Sequence, residues 1–176
     1  MKPTVFLDRD GVINVKAPPH EYITRPENFV LIDGAAEGIE MLNKSGFQVI
    51  VITNQRGIAR GKFTEDDLSS VHAEMKKQLS LKGARIDGIY FCPHNEDECD
   101  CRKPGIGLLQ KAERDFPVAK SRSCFIGDSE SDILCGKKYG IITVHIGRGN
   151  NYGADMQFET LYAAAEYLCR NLGKEI

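Results

Sequence analysis

Short apolar runs alternate with helical segments along almost the whole chain, and this alternation constrains the fold more than any other feature. "TVFLD" (4–8), "FQVIVIT" (47–53), "IDGIYF" (86–91), "SCFIG" (123–127) and "IITVHI" (141–146) read as buried strands. Between and after them lie segments with helical spacing. Residues 33–46 form one, with Asp33 as the expected cap, Ala35, Ile39 and Leu42 on one face, and Gly46 at the end. Residues 64–83 form another, opened by a Thr64/Asp67 capping pattern and carrying Leu68, Val71, Met75 and Leu79 on one stripe. Residues 107–116, 129–140 and a last segment through Leu161, Ala165 and Leu168 complete the set. Strand-helix alternation of this kind predicts an α/β fold: a doubly wound, mostly parallel sheet with helices on both faces. Ligands of such sheets bind beyond the carboxyl ends of the strands, at a switch in strand order.

The residues expected at those ends are polar. Asp8 and Asp10 follow the first strand, Thr53, Asn54 and Gln55 the second, and Asp128 and Asp132 the "SCFIG" strand. Arg102 and Lys103 follow the third strand after a cysteine-rich loop. Strand alternation puts Asp8 and Asp10 on one side with Arg9 opposite. Alone, "DRDG" is no more than an acidic turn, but its agreement with the other strand ends points to one site. Asp8, Asp10 and Asp128 form a hard oxygen site suited to Mg²⁺, which commonly keeps waters and a substrate phosphate. A carboxylate beside such a site can attack phosphorus, and a second can carry the proton. Lys103 supplies positive charge, and Thr53 and Asn54 neutral donors, for a phosphoryl transition state.

"FCPHNEDECDCRKP" places Cys92, His94, Cys99 and Cys101 within ten residues (92–101). Three thiols and an imidazole suit tetrahedral Zn²⁺, and four protein ligands leave no open position, so this loop is expected to be a small structural zinc site. It would set the position of Arg102 and Lys103. Cys124, Cys135 and Cys169 read as small core residues.

"DRDG", "TNQ", "RKP" and "GDSESD", in this order, resemble the four motifs of the haloacid dehalogenase superfamily phosphatases. The resemblance implies a Rossmann-like fold, Asp8 as nucleophile and Asp10 as acid and base. It implies Thr53 and Lys103 as phosphoryl stabilisers, and Asp8, the Asp10 carbonyl and Asp128 as Mg²⁺ ligands. Asp132 is expected to support the metal from outside or to cap its helix. The stretch between the second and third strands has no room for a cap domain. With the cysteine cluster, this resembles the capless zinc-containing branch, which acts on a heptose bisphosphate or on histidinol phosphate. "GIARGKFTE" is closer to the first type, and the short spacing of the cysteine loop to the second. Asn54, Gln55, Arg56 and Arg102 are the expected substrate contacts, with Arg102 toward a distal phosphate. Arg56 and the long "KAPPHEYITR" loop depart from the heptose pattern.

The bulk numbers fit this reading. With 176 residues the chain suits one domain, 1–176, burying roughly 70% of its unfolded surface. A net charge of −2 gives no footprint for nucleic acid. No apolar run approaches the ~18 residues of a membrane span, and the N-terminal residues lack a secretory pattern. A cytoplasmic, monomeric enzyme with a small phosphorylated sugar as substrate is expected. The opposing expectation is a zinc-organised binding module without activity, which predicts loss of a catalytic residue.

Overall fold

The computed structural model describes residues 1–172. The last residues of the expected domain, 173–176, lie outside the described residues. The described residues form one parallel six-stranded sheet: β1 (Thr4–Leu7), β2 (Gln48–Asn54), β3 (Gly88–Cys92), β4 (Cys124–Gly127), β5 (Ile142–Ile146) and β6 (Met156–Phe158). The spatial order is β3-β2-β1-β4-β5-β6, so direction of travel reverses between β1 and β4. Phe6 faces Ile50 on one side and Phe125 on the other, which aligns the ends of three strands at one rim.

Alternation along the strands divides the core. Val5, Leu7, Val49 and Val51 pack on one face with α1 (Ala35–Lys44), α2 (Glu65–Leu81) and α5 (Leu161–Asn171). Phe6, Ile50 and Ile52 pack on the other with α3 (Gly107–Asp115) and α4 (Glu130–Tyr139). These strand residues have no exposed surface. Full burial of each such side chain stabilises by ~1.5–3 kcal/mol, so the central strands are the rigid base on which the rim is built.

Local signals decide where elements begin. Thr64 accepts from the Asp67 amide at 3.1 Å, and the Asp67 carboxylate accepts from the Thr64 amide at 2.8 Å, closing the expected capping box of α2. The start of α1 differs from expectation. Gly34, in the left-handed region at φ 79°, is the cap, and Asp33 makes no capping bond. Glycine turns the chain into the helix there without a side-chain acceptor. β6 was not expected either: its three residues are too short for a readable alternation, and pairing with β5 defines it.

Candidate active site

β1 ends at Leu7, and the chain then turns within "DRDG". The Arg9 carbonyl accepts from the amides of Ile13 and Asn14 at 2.8 and 3.2 Å, and Gly11 donates to the Asn14 carbonyl at 2.8 Å. Gly11 has φ +89°, and a Cβ there would collide with the Asp128 carboxylate. The close approach of the β1 and β4 loops therefore requires glycine.

Lys103 is the hub. Its side chain is 3% exposed, and Nζ lies 2.7 Å from Asp8 Oδ1 and 2.6 Å from Asp132 Oδ1. It also donates to the Ile52 carbonyl at 2.9 Å. Burial would lower the lysine's proton affinity, but Asp132 and Asp8 outweigh it and keep the ammonium charged. Burial pushes the Asp8 carboxyl up to about 7; Lys103 opposes this, and Asp132 and Asp10 add to it. Asp132 caps its helix, one of the two roles expected of it, and also pairs with Lys103. Its Oδ2 accepts from the amide and hydroxyl of Ser129 at the start of α4, at 3.1 and 2.6 Å, while Oδ1 faces Lys103.

Asp10 is held by three donors. Arg9 Nη2 reaches Oδ1 and Oδ2 at 2.9 and 3.1 Å, Asn14 donates to Oδ1 at 3.0 Å, and Gln55 to Oδ2 at 2.9 Å. Although burial opposes it, Arg9 and these hydrogen bonds hold the Asp10 carboxyl below the usual carboxylate range. Gln55 also donates to Thr53 Oγ1 at 2.9 Å. Asn54 clasps the Lys103 backbone, donating to its carbonyl at 3.1 Å and accepting from its amide at 3.0 Å. Asn54 and Gln55, expected as substrate contacts, thus spend their amides inside the protein. Arg9 does not point away as strand alternation implied; β1 has ended, and its guanidinium, 1% exposed, folds back onto Asp10.

One oxygen atom of each of Asp8, Asp128 and Asp132 lies within 4.8 Å of the others. Lys16 pairs with Asp128 Oδ2 at 2.5 Å, whereas Asp128 Oδ1 is buried with no hydrogen-bond partner. An orphaned buried carboxylate oxygen beside two further carboxylates and one buried lysine fits a hard divalent cation.

The cysteine loop closes on itself. Sγ atoms of Cys92, Cys99 and Cys101 stand 3.0 to 3.5 Å apart, and His94 Nδ1 lies 3.6 and 3.4 Å from Cys92 and Cys101. All four ligand atoms lie within 4.8 Å of one another. The sulfurs are too far apart for a disulfide, whose S–S bond is ~2.05 Å. Tetrahedral Zn–S bonds of ~2.3 Å give sulfur–sulfur edges of about 3.8 Å, close to this arrangement. Burial alone would raise the Cys99 thiol, yet hydrogen bonds from Cys101, the Arg102 amide and Cys92 bring it down to about 7. Cys101 leads directly to Arg102 and Lys103. Arg102 Nη2 lies 3.9 Å and Arg56 Nη1 2.7 Å from Glu96 Oε1, so both guanidinium groups face one carboxylate.

The sequence reading missed Arg9, Asn14, Lys16 and His72 as parts of this region. The "DRDGVIN" turn was a readable signal for Asn14; nothing local marked His72, which lies on α2.

A family model described as HAD-hydrolase-like matches residues 100–174. The chain is 42% identical over 148 residues to a D-glycero-beta-D-manno-heptose-1,7-bisphosphate 7-phosphatase of Rhodopseudomonas palustris, covering 80% of this chain and 81% of that protein. The enzyme of the same name from Escherichia coli is 40% identical over 139 residues, covering 74% and 71%. A crystal structure of the D,D-heptose 1,7-bisphosphate phosphatase of B. bronchiseptica, complexed with magnesium and phosphate, superposes with a TM-score of 0.87. It is 30% identical, covering 96% of this chain and 98% of that one. With four motifs converging on one rim and relatives this similar over most of their length, the chain is a phosphatase and belongs to the HAD-like hydrolase family that includes the heptose-bisphosphate 7-phosphatases.

Proposed function

We propose that this protein removes the 7-phosphate of D-glycero-D-manno-heptose 1,7-bisphosphate through a phosphoryl intermediate on Asp8. One observation carries the reading: Asp8, Lys103, Asp128 and Asp132 meet at the strand-order switch in a chain 42% identical to a heptose-bisphosphate phosphatase.

Lys103 engages Asp8 Oδ1 and leaves Oδ2 to attack phosphorus. As that O–P bond forms, the bond from phosphorus to the sugar oxygen breaks, and Asp10 gives its proton to the leaving oxygen. The resting Asp10 is ionised; the incoming phosphate's negative charge raises its proton affinity, so Asp10 takes a proton from solvent as the substrate binds and this is the proton it gives to the leaving oxygen. Water then attacks the Asp8-bound phosphorus, Asp10 takes the water's proton, and inorganic phosphate leaves with Asp8 restored. Thr53 accepts from Gln55, so its own hydroxyl proton is directed to a phosphoryl oxygen, and Lys103 neutralises another. Asp8, Asp128 and the Asp10 carbonyl are the residues that would hold Mg²⁺, and the bound ion masks charge between the two anions. Cys92, His94, Cys99 and Cys101 would hold Zn²⁺, which would fix the loop 92–101 and so the location of Lys103. The whole chain, 1–176, acts as one domain, a cytoplasmic monomer.

Arg56 and Arg102 already hold the Glu96 carboxylate between them. We assign the distal 1-phosphate to that place, where guanidinium forks give paired hydrogen bonds. Turnover of heptose 1,7-bisphosphate, other sugar phosphates and histidinol phosphate with Mg²⁺ tests the assignment. The bisphosphate is expected to have the highest kcat/KM; a higher value for histidinol phosphate overturns it.

A further inference from the structure

Asp10 is held by a guanidinium with an unusual grip. In a guanidinium–carboxylate fork, two nitrogens face two oxygens and fix a common plane. Here one nitrogen, Arg9 Nη2, serves both oxygens of Asp10, at 2.9 and 3.1 Å. A single shared nitrogen is a hinge, about which the two planes can swing. Arg9 Nε is buried and makes no hydrogen bond, so it does not stop the swing. The other terminal nitrogen does: Nη1 lies 3.3 Å from Nε2 of His72.

His72 suits that task. It is buried in the middle of α2, 8% exposed, with its ring edge-on to Phe91 at 6.3 Å between centroids. Burial first, then the Arg9 charge, push its pKa down to about 3, so the imidazole is neutral near pH 7. A neutral ring protonated on Nδ1 offers Nε2 as an acceptor, the role that an arginine N–H requires. The ring is itself fixed by its packing, so its hold on Arg9 is directional.

We propose that His72 is a positioning residue: by accepting from Arg9 Nη1 it fixes the guanidinium plane, so that Arg9 completes, with Asn14 and Gln55, the set of donors that aims Asp10 at the leaving oxygen. The inference rests on the reading of Asp10 as the group that protonates the leaving oxygen. His72 touches neither reacting atom and acts only through Arg9.

The test compares His72→Gln with His72→Asn. A glutamine amide reaches about as far as Nε2, whereas an asparagine amide stops near Nδ1, so only glutamine can accept from Arg9. Two substrates are used: heptose 1,7-bisphosphate, whose alkoxide leaving group needs a proton, and nitrophenyl phosphate, whose leaving group does not. His72→Asn is expected to lower kcat for the bisphosphate on the order of tenfold, part of the ~10²–10⁴ of a general acid, and to change nitrophenyl phosphate turnover by less than about twofold. His72→Gln is expected to stay within about twofold of the unmodified protein on both, because its acceptor is retained. If the two variants behave alike, or if both substrates slow together, His72 is only structural and the inference falls. Asp10→Asn, measured alongside, separates the causes. If it slows both substrates equally, the reading of Asp10 fails and takes this inference with it. If it is selective and His72→Asn is not, the positioning role alone fails. Thermal melting checks folding; should His72→Asn not fold, His72→Leu fills the space without an acceptor and carries the same expectation.

Discussion

Replacing Lys103 by methionine removes one charge from the most buried part of the site and keeps an unbranched apolar chain one atom shorter. Its ammonium stands 2.7 Å from Asp8 and 2.6 Å from Asp132, whose side chains are 11% and 0% exposed. Methionine leaves both carboxylates facing an apolar group and leaves the Ile52 carbonyl without its 2.9 Å donor. Breaking a buried pair by removing one partner costs ~3–5 kcal/mol. For a chain of this size each kcal/mol shifts the melting temperature by ~2–4 °C, so a fall of about 10 °C is expected with chelator present. The carboxylates left behind attract a divalent cation more strongly. Added Mg²⁺ is therefore expected to raise the melting temperature of Lys103→Met by more than it raises that of the unmodified protein. Catalysis is not rescued, because a cation shared by the carboxylates does not replace the ammonium on the phosphoryl oxygen. Scanning fluorimetry with chelator and with Mg²⁺ measures both increments. A fall below about 3 °C, or equal Mg²⁺ increments, refutes the account of Lys103 as the counter-charge of a metal-binding carboxylate cluster.

Asp8→Asn preserves shape but cannot attack phosphorus, so turnover is expected to fall by more than the ~10²–10⁴ of a lost general acid, as measured by phosphate release. Elemental analysis of protein purified without chelator is expected to find about one zinc per chain, and Cys101→Ser is expected to lower both melting temperature and activity by loosening the Lys103 loop. His72 gives a pH dependence with a definite sign. Its pKa is about 3 in the fold against 6.5 in the unfolded chain, so below 6.5 the unfolded chain binds a proton that the fold refuses. Stability is therefore full above 6.5 and falls as pH drops toward 3. Near pH 5 the loss from this group is about 2 kcal/mol, and denaturant titrations are expected to find it absent in His72→Gln.

The parallel sheet and most of the rim were legible because they follow from local rules. Runs such as "FQVIVIT" have only one comfortable use in a strand buried on both faces, and the polar residues at their ends mark the ligand side. The cysteine loop was legible because few other arrangements employ three thiols and an imidazole so close together. What was hidden depends on three-dimensional closure. Arg9 was assigned to the opposite side because alternation was carried past the end of the strand; β1 stops at Leu7, and beyond it alternation has no force. His72 lies on an ordinary helical stripe, and its distance to Arg9, 63 residues earlier, exists only after α2 packs on the sheet. Lys16 belongs to a loop without a pattern, and its pairing with Asp128 arises because Gly11 lets the β1 and β4 loops nearly touch. Asp33 lost its expected capping role to Gly34, where backbone geometry outweighed side-chain preference.

The central claim is that Asp8 receives the 7-phosphate of a heptose bisphosphate while the 1-phosphate stays between Arg56 and Arg102. Phosphorus NMR of heptose 1,7-bisphosphate incubated with the protein and Mg²⁺ follows each phosphate separately. The signal of the primary 7-phosphate is expected to decay into inorganic phosphate, with the anomeric 1-phosphate signal retained throughout. Loss of the 1-phosphate first, or no release from either position, contradicts the account.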